Sequence, residues 1–155
     1  MNSLPARAAL AFLALPGVVG FLVPWLLLDR RFEGRVFRLS GFVPLVPGLI
    51  LLVWCVAAFY RRGRGTLAPW DPPRALVATG VYALSRNPMY VAVVLVLCGW
   101  ALGFRARPLA IYAAAVAVAF HLRVVFGEEP WLARRYGDEW VRYKARVPRW
   151  LGLRA

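Results

Sequence analysis

The chain has 155 residues, 61% of them hydrophobic, with a net charge of +13 and a mean hydropathy of +0.60. A soluble domain is about 45–50% apolar, so this composition points to a membrane protein and leaves no room for a large soluble domain beside it. The basic residues lie in short clusters between apolar runs, which suits anionic headgroups and argues against nucleic acid as a partner.

Ala8 to Leu28 is the first apolar run. Roughly 20 residues suffice to span a bilayer. Only Arg7 precedes the run and no small-x-small cleavage site follows, so it reads as a retained span rather than a signal peptide. Pro16, Gly17 and Gly20 predict a kink or a close-packing point. A polar loop with Arg30, Arg31, Arg35 and Arg38 follows. Gly41 to Tyr60 is the second span, with Pro44 and Pro47 in its first turns, where proline is best tolerated. Trp54 and Tyr60 read as core or interfacial aromatics.

A loop over 61–87 comes next, opened by Arg61, Arg62 and Arg64 and made irregular by Pro69, Pro72 and Pro73. Trp70 is expected at headgroup level. Asn87-Pro88 signals a helix start: Asn caps free N–H groups and Pro has none to leave unpaired. The third span, 88–104, is at the short edge for ~30 Å of hydrocarbon. Arg105-Ala106-Arg107-Pro108 is a tight break, so the fourth span, 108–126, forms an antiparallel hairpin with the third. That span is Ala-rich and carries His121 and Arg123, the latter placed to snorkel.

The segment 128–150 is too polar to span. Leu132, Tyr136, Trp140, Tyr143 and Val147 share one helical face, which predicts an amphipathic interfacial helix anchored further by Trp150. The expected fold is therefore an all-α integral membrane domain of about four transmembrane helices plus that helix. The distribution of arginines places both termini, the 61–87 loop and the 128–150 segment on the cytoplasmic side. Cys55 and Cys98 each lie in an apolar run and read as packing residues. Two cysteines and one histidine do not make a zinc site, and no metal is expected.

The residues that carry chemistry flank the hairpin. The positive end of the third helix, at Asn87-Pro88 with Arg86 beside it, attracts carboxylate or phosphate. Tyr82 and Tyr90 offer flat faces to a ring or a cation. Glu128 and Glu129 follow the fourth span directly. They either open the next helix at its positive end, or one of them holds a hydroxyl or amino group or pairs with Arg86.

The order Gly80-x-Tyr82-x3-Arg86-Asn87-Pro88-x-Tyr90, an apolar hairpin, then Glu128-Glu129-x2-Leu132-x3-Tyr136-Gly137-x2-Trp140-x2-Tyr143-x3-Val147-Pro148-Arg149 resembles the isoprenylcysteine carboxyl methyltransferase family. It is similar also to the wider group of small membrane methyltransferases that includes phospholipid N-methyltransferases. The resemblance covers about residues 65–150. It implies S-adenosylmethionine as methyl donor, bound at the cytoplasmic face under the C-terminal segment. It further implies Tyr82, Arg86, Asn87, Pro88, Tyr90, Glu128 and Glu129 as the donor-binding set, with Arg86 and Glu129 as the candidate catalytic pair. The resemblance does not fix the acceptor; entry from the bilayer between spans suits a lipidic or small apolar one, with a carboxylate, an amine, a thiol and a hydroxylated lipid all open. Asn87 stands where that family commonly has His, and Asn does not titrate; Gly152 stands where it has Pro. Two other readings use the same features: a membrane reductase taking NADPH, and a non-catalytic membrane scaffold that keeps the motif for packing.

Overall fold

The computed structural model describes residues 13–28, 36–58, 76 and 78–152. The expectations for Ala8 to Phe12, for Arg30, Arg31 and Arg35, for Tyr60 and for Trp70 lie outside the described residues. The described residues are mostly helical, with no β-strand among them. π-helical turns over Leu13–Leu22 lead into α1, Val23–Leu28. A 3-10 turn at Leu39–Gly41 opens α2, Phe42–Ala58. Another at Gly80–Ala83 precedes α3, Pro88–Phe104. Next, α4, Arg107–Arg123, continues through a π-turn, Val124–Glu128, into α5, Glu129–Tyr136; α6 is Asp138–Arg146.

Two continuous helices, Leu39–Ala58 and Arg107–Tyr136, are long and apolar enough to cross a membrane, and two shorter apolar helices, Pro16–Leu28 and Pro88–Phe104, accompany them. At 30 residues and a rise of about 1.5 Å each, Arg107–Tyr136 exceeds ~30 Å of hydrocarbon. Glu128 and Glu129 lie in its polar, C-terminal part. Outward-facing Val43, Val46, Ile50 and Val53 form a stripe along α2, and Ile111 and Val118 lie outward on α4. These exposed apolar faces suit a lipid solvent.

Helix α3 is the central helix. It is apolar over its whole length and packs against α2, α4 and the first helix, as expected of a helix without a polar face. Ala92, Val93, Val96 and Leu97 are at most 2% exposed and join Leu52, Ala113 and Val116 in the core. The α2–α3 contact is close because glycines remove side chains where the backbones meet. A Cβ on Gly99 would stand 2.9 Å from Leu45 Cα, and one on Gly48 would stand 2.9 Å from Val96 N.

The first helix shows how backbone polarity is satisfied there. Pro24 has no N–H, so in an α-helix it leaves the Gly20 carbonyl unpaired and in a π-helix that of Val19. Trp100 Nε1 donates to Gly20 O at 3.1 Å and Tyr112 Oη donates to Val19 O at 3.1 Å. Side chains of neighbouring helices thus pair the freed carbonyls, as a low-dielectric setting requires.

The C-terminal segment differs from the single amphipathic helix expected over 128–150. Gly137, at φ +50, separates α5 from α6, because its backbone takes a conformation that only glycine adopts readily. Helix α6 ends at Arg146, and Val147–Trp150 continues as a strap. The predicted apolar face exists, but it packs inward. Trp140, Tyr143 and Val147 are buried, with the half-buried Leu132, Tyr136, Leu76 and Ala78 packed against them. That packing folds α6 over the Gly80–Tyr90 turn.

Candidate active site

The turn before α3 holds the strap through a set of local bonds. The Arg86 N–H donates to Pro148 O at 2.9 Å. The Ser85 hydroxyl donates to Arg149 O at 3.1 Å and accepts from the Asn87 N–H at 3.1 Å. The Asn87 side-chain amide donates to Arg149 O at 3.1 Å. Asn87 does sit at the N-cap with Pro88 in the first turn, but its side chain makes no capping bond. This corrects the capping role expected of it: the amide is engaged by the strap instead. Farther along, Trp150 Nε1 donates to His121 Nδ1 at 3.4 Å.

Beside the strap lies a compact ionic cluster. Arg86 Nη1 donates to Glu129 Oε1 at 2.9 Å, with the two side chains 5% and 9% exposed. Arg149 clasps the same carboxylate, Nε to Oε1 at 2.7 Å and Nη2 to Oε2 at 3.0 Å. Lys144 Nζ stands 3.8 Å from Oε2. The Arg86 guanidinium carbon lies 5.4 Å from the centre of the Trp140 ring, within cation–π range. Burial pulls the Arg86 guanidinium below its ordinary range, and Glu129 counters that pull. The hydrogen bond from Arg149 to Glu129 shifts Arg149 the other way. Arg86 Nε is buried without a hydrogen-bond partner.

Adjacent in sequence, Glu128 points elsewhere. Tyr90 Oη donates to Glu128 Oε1. Arg123 Nε donates to Glu128 Oε1 at 2.9 Å and to Tyr90 Oη at 3.1 Å. The Tyr90 ring lies 4.4 Å from that of Phe120. The π-turn explains the divergence: the Glu129 N–H donates five residues back, to Val124 O, and this wider winding brings Arg123 and Glu128 together across five positions.

The seven expected site residues therefore fall into distinct groups. Arg86 and Glu129 meet directly. Tyr90 and Glu128 meet each other and Arg123. Asn87 is tied to the strap, and Pro88 is fully buried at the start of α3. The Tyr82 ring packs with Cys55 and Val81 below the turn, while its carbonyl accepts the Tyr143 hydroxyl at 2.7 Å. Burial raises the Tyr143 and Tyr82 hydroxyls above the usual phenol range. In the sequence reading Ser85 and Arg149 have no individual role, Arg123 is only a snorkelling residue and Trp140 is only a member of the apolar face. Trp140 and Arg149 stand inside the quoted motif, and their spacing was its only signal. Among the described residues no three His, Cys, Asp or Glu side chains converge as a metal site would require.

A helical membrane protein with a buried arginine–carboxylate cluster under a C-terminal strap is the class that this fold and site define. The model of the phospholipid methyltransferase family matches residues 38–139, more than half of the chain. The chain belongs to the phospholipid methyltransferase family, a family of membrane methyltransferases. No curated protein and no solved structure matches it. The family match stops just short of Trp140, so α6 beyond Glu139 and the strap are read from this structure alone.

Proposed function

We propose that the protein transfers a methyl group from S-adenosylmethionine to a lipidic acceptor at the cytoplasmic face of the cell inner membrane. The donor supplies an electrophilic methyl on a sulfonium; the protein's part is to align, to hold charge and to exclude water. Arg86, Asn87, Pro88, Tyr82 and Glu129 form the donor side, and Tyr90 and Glu128 form its outer edge, where donor and acceptor meet. The isoprenylcysteine carboxyl methyltransferase-like pattern leaves carboxylate, amine and thiol acceptors open; family membership favours a phospholipid.

The observation that carries this reading is the Arg86–Glu129 pair. A buried ion pair adds little net stability, because desolvation offsets the Coulomb gain. Its retention beside an unpartnered Arg86 Nε and the Trp140 ring supports a binding role. The residues also fit the donor in kind: a cation for its carboxylate, an acid for its ammonium or hydroxyls, and rings for its purine.

The test is calorimetric titration of the detergent-purified protein with S-adenosylhomocysteine. Saturable binding is expected, weakened about tenfold or more in Arg86→Lys and Glu129→Gln if each loses one charge-assisted bond. A monodisperse protein that binds no S-adenosylhomocysteine, or variants that bind it as the wild type does, would remove the assignment.

A further inference from the structure

The end of the chain is held twice, by its backbone and by one side chain. Arg149 O accepts from the Ser85 hydroxyl and from the Asn87 amide, each at 3.1 Å, and Pro148 O accepts the Arg86 N–H at 2.9 Å. These bonds fix the strap on the turn before α3. From that anchored backbone the Arg149 side chain reaches Glu129, with one bond to each carboxylate oxygen. The clasp can therefore open while the backbone bonds of the strap remain. The two arginines on Glu129 also differ in what release would cost them. The Arg86 side chain is 5% exposed and its guanidinium lies against the Trp140 ring, so it has no route to water without displacing α6. A buried cation that loses its partner is strongly penalised. The Arg149 side chain is 21% exposed and can turn outward into solvent, where its charge stays hydrated.

We infer that the Arg149 guanidinium is a built-in stand-in for the ammonium of the methyl donor: the two exchange on Glu129, and the strength of the clasp sets the donor affinity. This inference rests on the methyltransferase reading above, in which Glu129 lies on the donor side. The chemistry of the exchange is matched. Arg149 gives Glu129 two N–H bonds, one per oxygen, and a primary ammonium carries three N–H donors, enough to replace both. One cation takes the place of another, and Arg86 keeps its bond to Oε1, so the half-sealed carboxylate is never left unpaired. Because the strap tethers the guanidinium beside Glu129, it competes at a high effective concentration. The apparent affinity for the donor is then reduced by the fraction of molecules in which the clasp is closed. Arg149 thereby tunes binding without touching the reacting atoms.

The experiment uses full-length protein in detergent, with calorimetric titration of two probes. S-adenosylhomocysteine carries the amine; 5′-methylthioadenosine keeps the nucleoside and lacks the amino-acid end. Arg149→Ala is expected to bind S-adenosylhomocysteine about tenfold more tightly than the wild type, as removal of a charge-assisted competitor does, although the same variant unfolds at a lower temperature. Arg149→Lys keeps the charge and loses the two-point grip, so an intermediate gain of about threefold is expected. This variant also decides the matter if Arg149→Ala does not fold. Neither change is expected to alter 5′-methylthioadenosine affinity. Unchanged or weaker S-adenosylhomocysteine binding in the folded variants would overturn the exchange and leave the donor reading standing. An equal gain for both probes would overturn the ammonium as the group that exchanges. Wild-type affinity in Arg149→Lys beside a gain in Arg149→Ala would reduce the effect to net charge and overturn the clasp. No S-adenosylhomocysteine binding by the wild type would overturn both readings.

Discussion

Arg149 grips both oxygens of Glu129, at 2.7 and 3.0 Å, while Arg86 reaches one of them from the opposite chain segment at 2.9 Å. One carboxylate thus ties the end of the chain to the turn before the central helix. The two arginines are not equivalent. The Arg86 side chain is nearly sealed, whereas that of Arg149 is 21% exposed. Removing Glu129 strands a buried cation, which costs about 3–5 kcal/mol. Removing Arg149 leaves Glu129 still paired with Arg86, and about 1–2 kcal/mol is expected for the lost hydrogen bonds. Thermal unfolding in detergent should therefore rank Glu129→Ala well below Arg149→Ala. Equal losses would show that Arg149, not Arg86, dominates the pair.

A second prediction concerns the membrane helices. Gly99 faces Leu45 so closely that an added Cβ would lie 2.6 Å from Leu45 Cβ and 2.9 Å from its Cα. The backbone atom cannot swing aside, so α2 and α3 must part. Gly99→Ala is expected to destabilise by about 1–3 kcal/mol, the usual cost of overpacking. Gly127→Ala is the control, since nothing lies within 4 Å of its Cβ position. If both variants unfold at the same temperature, the close helix contact is not a determinant of stability.

Much of this was legible from residues alone, and the exceptions have physical causes. Pro88 and Phe104 bound the third apolar helix where the Asn-Pro signal and the Arg105 break placed them. The face Leu132–Val147 also formed as its spacing predicted. Periodicity, however, reports which side of a helix is apolar and not what covers it, so the burial of that face against Leu76 and Ala78 was hidden. Gly137 is a break only because its φ is +50; within a helical pattern a lone glycine reads as tolerable. The separation of Glu128 from Glu129 was hidden too. Adjacent acids look like one site in sequence, and only the π-turn, which has no composition signal, aims them apart.

The strap supplies a third prediction. Ser85 is fully buried and its hydroxyl serves two partners, the Asn87 N–H and Arg149 O. Ser85→Ala leaves the Asn87 N–H without its acceptor, at a cost of about 1–3 kcal/mol. Because Arg149 O keeps its bond from the Asn87 amide, the strap should loosen rather than detach. Hydrogen exchange at Arg86, whose N–H is held by Pro148 O, should speed up while exchange in the middle of α3 stays unchanged. Unaltered exchange at Arg86 would mean that the strap is held by the Glu129 pair alone.

Gly137 gives the last. At φ +50 and ψ −124, a side chain is strained although nothing crowds the Cβ position. A residue held in such a sparsely populated region costs about 1–3 kcal/mol. Gly137→Ala should therefore destabilise without any clash. Relief of that strain would let α5 and α6 approach one continuous helix and lift Trp140 and Tyr143 from their places over Arg86 and Tyr82. Those contacts, the 5.4 Å ring-to-guanidinium approach and the 2.7 Å hydroxyl bond, lie far from residue 137 in role but depend on its turn. The expected result is weaker S-adenosylhomocysteine binding together with a lower unfolding temperature. A variant that loses stability but keeps full affinity would show that the donor side is built without α6, from the turn and Glu129 alone.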